Sequence, residues 1–323
     1  MHARAAEVLP NVKLVAVCDL QMTLAARVAG TGDAIVYTDF RKMYAEAELD
    51  AVIVNTPHAL HLEMVLAAAE AGIHALVEKP MATKLADCDQ MSEACRRAGV
   101  ALVVGHIQHF LPEKVAAEEV LRSGKLGKLL MVRDFRSTDY RPGTRPEWFF
   151  SPTIAGGGAL MNIGGHCIDR SLWFAGSAVE TVTARCFSRF GVAVETDGHI
   201  VLGLASGVSV DIVVVSDPPH RLDEVLLICE NGSISVTPDR GTVVREDGTN
   251  RTVLAPAADS IQTAFTAQLA DFVHALHGGQ PKVGTAHART VVETVLAAYD
   301  SAISLETVAL PYPLPLPHLE GAL

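Results

Sequence analysis

Two spacings of apolar residues alternate along the first hundred positions. Short β-rich runs (Val12–Cys18, Ala34–Tyr37, Ala51–Val54, His74–Val77, Val100–Val104) are separated by segments of helical composition or stripe. In His58–Ala71 the apolar positions Leu62, Val65, Leu66 and Ala69 recur at helical spacing, and Gly72 supplies the stop. Leu24–Val28, Phe40–Ala47 and Leu85–Ala98 read as the other helices of this half, the last closed by Gly99. Strand–helix alternation at this interval predicts an α/β unit with a parallel sheet covered on both faces.

Beyond about residue 110 the pattern changes. A helix over Glu113–Arg122 is followed by strands at Lys128–Arg136, Glu180–Arg189, His199–Leu204, Val208–Val215, Glu224–Cys229 and Ser233–Thr237. A glycine-rich segment and a helix, Ala159–Phe174, lie between the first two strands. Alternation at Val208, Val210, Ile212 and Val214 points to a sheet with one covered face. Helices over Ile261–Leu276 and Ala286–Ser304 precede a proline-rich tail, Leu310–Pro317. The predicted organisation is an α/β domain over 1–108 and an α+β domain with a mostly antiparallel, open sheet over 109–323.

Bulk properties narrow the function. A net charge of −11 and the lack of a basic block argue against nucleic acid. No run approaches the ~18 apolar residues of a membrane span, and the N-terminus has no signal-peptide pattern. The cysteines at 18, 88, 95, 167, 186 and 229 form no C-x-x-C pair, so a reducing, cytoplasmic compartment is expected.

Asp19 ends the first apolar strand. In a dinucleotide-binding fold such an acid accepts hydrogen bonds from the adenosine ribose, and its glycine-rich phosphate turn lies about 20 residues upstream. Counting back from Asp19 leaves the chain, and His2–Val8 has the look of the helix that follows that turn. Gly30-Thr31-Gly32 opens no helix, and Gly156-Gly157-Gly158 is in the other domain. The expectation is a Rossmann-type sheet without its first strand and phosphate loop. The strands around Asp19 and Val54 would then not share a ladder, and NAD binding or stability would be poor. Taken alone, Asp19 is equally well a plain strand-end acid.

Two further stretches carry a resemblance: Asn55-Thr56-Pro57…His61…Val77-Glu78-Lys79-Pro80, and Gly156-Gly157-Gly158-Ala159-Leu160-Met161-Asn162-Ile163-Gly164-Gly165-His166-Cys167-Ile168-Asp169. In this order they resemble the glucose–fructose oxidoreductase/inositol dehydrogenase (Gfo/Idh/MocA) family over essentially the whole chain. The resemblance implies an NAD(P)-dependent oxidoreductase acting on CH–OH groups of sugars, polyols or related compounds. It implies a cis Lys79–Pro80 bond, with Lys79 donating to the reacting hydroxyl.

His166 is the proton-transfer candidate, since imidazole can accept a hydroxyl proton near neutrality. Asn162, four residues earlier on the same expected helix face, replaces the family's commoner aspartate. An amide takes no proton, so it can only hold substrate or orient His166. Asp169 either orients His166 or pairs with Arg170 or Arg145. Asp19 with Leu20 favours NAD over NADP, because a carboxylate repels a 2′-phosphate. Thr56, Pro57, His58, His61, Glu78 and Gln108 are implied to line the cofactor, and Trp148, just before the glycine run, either walls the substrate side or packs in the core. The pairs His58/His61 and His106/His109 suggest metal, but no carboxylate or cysteine completes either at a persuasive spacing, so none is expected. Self-association as a homodimer or homotetramer through the second sheet is expected. The alternative function is a non-catalytic NAD or metabolite sensor, or an inactive truncated product.

Overall fold

The computed structural model describes residues 1–311, so most of the proline-rich tail lies outside the described residues. The first half contains five short parallel strands: β1 (Ala16–Cys18), β2 (Ile35–Tyr37), β3 (Ala51–Val54), β4 (His74–Val77) and β5 (Leu102–Val104). They form two separate ladders, β1–β2 and β3–β4–β5. As expected, β1 and β3 do not pair. The first strand is shorter than its apolar run, with Val12–Val15 outside the ladder.

The second half is one nine-stranded sheet. Its strands are β6 (Leu129–Thr138), β7 (Val179–Phe187), β8 (Asp197–Leu204), β9 (Ser209–Ser216), β10 (Asp223–Cys229), β11 (Gly232–Thr237), β12 (Gly241–Glu246), β13 (Thr249–Leu254) and β14 (Val308–Ala309). They lie in the order β13-β12-β11-β10-β6-β9-β8-β7-β14, and only β6–β9 is parallel. β9 and β10 bury alternate residues, and helices Gly165–Ala175 and Thr285–Ser304 pack on the covered side through residues such as Ile168, Val291 and Val295. The other face mixes Val201 with an Asp211 carboxylate held by His199 at 2.6 Å.

Helix Ser260–Leu276 belongs to the second half in sequence but not in packing. Its Leu269, Phe272 and Ala275 form a core with Ala5, Ala6, Leu76 and Val103. A C-terminal segment thus covers the back of the β3–β4–β5 ladder and holds helix His2–Val8 in place.

Candidate active site

The carboxyl ends of the parallel strands present the expected cofactor edge. Asp19 follows β1 and accepts from the Gln21 amide at 2.8 Å, while Leu20 is exposed. Thr56 and Pro57 follow β3, and the Thr56 hydroxyl is buried without a partner. Glu78 follows β4; its carboxylate contacts the His2 ring at 3.0 Å and accepts from the Lys79 amide at 3.1 Å. Burial works to raise the Glu78 carboxyl, but the His2 contact and the Lys79 charge outweigh it, and its pKa is lowered. An acid placed for the adenosine ribose, an unpartnered hydroxyl and a second anionic carboxylate suit the ribose and nicotinamide ends of NAD. Among the described residues this edge carries no glycine-rich turn for the pyrophosphate.

Lys79–Pro80 is cis, as the resemblance implied. The Lys79 ammonium donates to Asn162 Oδ1 at 2.6 Å and to the Asn162 carbonyl at 3.0 Å. Its pKa is lowered to about 8 by burial, with Glu78 opposing and Arg136 and Arg145 reinforcing. His166 is held well below the ordinary imidazole range by burial and by the charges of Lys79 and Arg136. Lys79, Asn162 and His166, one from the first half and two from the second, therefore form one electrostatic unit.

The element carrying Asn162 and His166 is not one regular helix. Leu160–Gly164 is a π-helical turn, and the α-helix starts at Gly165. The 100°-per-residue argument that put both side chains on one face therefore fails at Asn162, and a π-turn re-aims that residue. This start is held by residues no local motif reveals. Glu195 accepts from the Gly158 and Leu160 amides at 2.9 and 2.8 Å. The Tyr299 hydroxyl donates to Glu195 at 2.8 Å and accepts from the Met161 amide at 3.1 Å. Burial raises the Glu195 carboxyl against these hydrogen bonds. A Cβ at Gly157 would lie 2.1 Å from the Tyr299 hydroxyl, and one at Gly158 would lie 2.0 Å from the Glu195 carbonyl. The glycine run is thus a packing requirement. Tyr140, fully buried, donates to the Gly158 carbonyl at 3.1 Å from the far side.

Several expected cofactor contacts lie behind this surface. His61 is fully buried, with Nδ1 3.0 Å from the Pro80 carbonyl and Nε2 3.1 Å from that of Thr56. Neutral, as its burial-lowered pKa implies, the ring has one N–H and donates to one of these two carbonyls. His58 contacts the Ala155 carbonyl at 2.7 Å and packs edge-on to Trp148. Its pKa falls to about 3, through burial first and the Lys79 charge second. Trp148 stacks on Phe149 with ring centres 3.7 Å apart, beside His58. Gln108 is buried and accepts from Arg170 at 3.3 Å. Arg170 is itself fully buried and paired with Asp134 at 2.6 Å and Asp223 at 2.7 Å.

Asp169 pairs with neither arginine weighed for it. It meets His109 and His287 at 2.8 Å each, and His106 at 3.4 Å. The pair His106/His109 does therefore meet a carboxylate, one supplied from 60 residues away.

Comparison with known proteins agrees with this layout. Residues 1–106 match the model of the oxidoreductase family with an NAD-binding Rossmann fold, and residues 115–235 match the Gfo/Idh/MocA C-terminal domain. An inositol 2-dehydrogenase of Saccharopolyspora erythraea is 31% identical over 281 residues, covering 85% of this chain and 80% of that protein. A 1-carboxy-3-chloro-3,4-dihydroxycyclohexa-1,5-diene dehydrogenase of Comamonas testosteroni is 31% identical over 67% of this chain and 55% of its own length. Among solved structures, GenD2 from gentamicin A biosynthesis, in complex with NAD, superposes with a TM-score of 0.86 at 26% identity, covering 96% of this chain and 92% of that one. Sequence and fold agree: the chain belongs to the Gfo/Idh/MocA family of NAD-binding Rossmann-fold oxidoreductases.

Proposed function

We propose that the chain is an NAD-dependent dehydrogenase that oxidises a CH–OH group of a sugar, polyol or related hydroxy compound. The observation that carries this reading is Lys79 Nζ bonded to Asn162 Oδ1 at 2.6 Å, with the Lys79 charge and burial both holding the His166 imidazole neutral. NAD, when bound, supplies the hydride acceptor. Lys79 donates a hydrogen bond to the substrate oxygen and stabilises the alkoxide as it forms. Neutral His166 takes the hydroxyl proton. Asn162 holds the lysine in place and transfers no proton.

Charge around the site favours a substrate that also bears a carboxylate. Arg136 and Arg145 both act on the Lys79 ammonium, and Arg136 Nη1 is buried without a partner. The Comamonas relative is named for a carboxylated cyclic diol. The experiment is NADH production by the purified protein over matched pairs of polyols and their sugar acids. Lys79→Ala is expected to lower kcat by roughly 10²–10⁴-fold, and the acids are expected to give the higher kcat/KM. No NADH from any substrate, combined with tight NAD binding, selects the sensor reading that Asn162 favours.

The open face of the nine-stranded sheet is the surface for a second copy in this proposal. A concentration-independent monomer in sedimentation velocity overturns that part. Six free thiols and the absence, among the described residues, of a helix long and apolar enough to cross a membrane support a cytoplasmic setting.

A further inference from the structure

One side-chain cluster outside the proposed chemistry is built like a coordination site. His109 lies in the turn Ile107–Phe110 after β5, Asp169 in helix Gly165–Ala175, and His287 in the first turn of helix Thr285–Ser304. One ligand atom from each lies within 4.8 Å of the others. Nε2 of His109 and Nε2 of His287 are each 2.8 Å from the same oxygen, Asp169 Oδ1. His106 Nδ1 stands 3.4 Å from Asp169 Oδ2. Asp169 is fully buried, and His106 and His109 are nearly so. Protein hydrogen bonds leave both His106 nitrogens and Asp169 Oδ2 without partners. Buried polar atoms are seldom left so, and here they belong to one cluster.

We propose that His109, Asp169 and His287 bind a divalent transition-metal ion of the zinc type, with a water on the exposed His287 side as the fourth donor. Imidazole nitrogens with one carboxylate suit Zn²⁺, Co²⁺ or Ni²⁺, whereas Mg²⁺ and Ca²⁺ prefer oxygen-rich sets. Tetrahedral zinc with bonds of about 2.1 Å holds its ligand atoms about 3.4 Å apart. The two 2.8 Å separations need open by only about 0.6 Å to reach that spacing. Trp173 stacks on the His109 ring with centres 4.4 Å apart and fixes its plane. The His287 side chain is 27% exposed, against 0% for Asp169, so the ion enters from that side. Bound there, it ties three elements together one helical turn behind His166. Its role is to position that helix, and it takes no part in hydride or proton transfer.

The test uses untagged, chelator-treated full-length protein titrated with Co²⁺. The expected result is one Co²⁺ per chain with the intense visible absorption of four-coordinate cobalt, displaced by Zn²⁺. The melting temperature rises with metal. His287→Ala, at the exposed edge, is expected to keep the fold while weakening binding by roughly 100-fold or more, and His109→Ala to do the same. Absence of stoichiometric binding overturns the proposal, as does binding that survives in His287→Ala with unchanged affinity and spectrum. Metal content and spectrum are read without substrate or NAD, so the result is independent of whether the dehydrogenase reading holds.

Discussion

The two halves of the molecule meet the same task, a sheet with chemistry at its edge, in opposite ways. The second half has one continuous ladder of nine strands, several of eight to ten residues. The first has strands of three or four residues in two unconnected ladders. A short strand at an unpaired ladder edge has few backbone hydrogen bonds to keep it closed. The β1–β2 pair also has few buried side chains, Tyr37 being the one buried residue of its six. One of the three predicted catalytic residues, Lys79, therefore follows a strand of the β3–β4–β5 ladder, which borrows its cover from helix Ser260–Leu276, while Asn162 and His166 stand on the second half.

The largest expected contrast is in amide hydrogen exchange. Amides of β8 and β9 should exchange only by global opening, and those of β1 and β2 by local opening several orders of magnitude faster. Equal protection of the two regions would erase the comparison. Next in size is the borrowed helix. Phe272 is 1% exposed in the core it shares with Ala5 and Leu76, so Phe272→Ala should cost about 3–5 kcal/mol. In urea unfolding, loss of the first half before the second would sharpen the distinction, and a small effect would show that the cover is dispensable.

The remaining test is of pH. The His58 pKa is lowered from 6.5 to about 3 in the folded chain, and burial lowers those of His61 and His109 as well. Below pH 6.5 the unfolded chain takes up protons that the folded one refuses. Stability is therefore complete above that pH and is lost toward pH 3, by at most about 1.4 kcal/mol per unit for each histidine. Thermal melts between pH 7 and 4 should show the decline, and His58→Phe should make it shallower. A pH-independent melting temperature would contradict the assigned neutral state.

Periodicity placed several elements of the first half well: Ala51–Val54, His74–Val77 and Leu85–Ala98 have the boundaries read from the sequence. The hairpin β12–β13 lies beyond the strands expected from apolar alternation, yet a turn signal marks it. Asp247-Gly248 joins the strands with Glu246 opposite Thr249, both turn residues at positive φ, and Asp-Gly between strand-forming residues marks such a two-residue turn. Lys79, Asn162 and His166 were legible because they sit in motifs. Glu195 and Tyr299 were not, since they reach Gly158 and Met161 from 37 and 138 residues away and no local spacing encodes those contacts. The same distance hid the meeting of His287 with Asp169, 118 residues apart.

The clamp formed by Glu195 and Tyr299 bears on how new specificities can arise. It fixes the origin of the His166 helix to a strand end and to the last helix, not to the loop that arrives from Arg141–Ala155. That loop can change length and chemistry while His166 keeps its address, so grafting it from a relative is a direct test of where substrate choice resides.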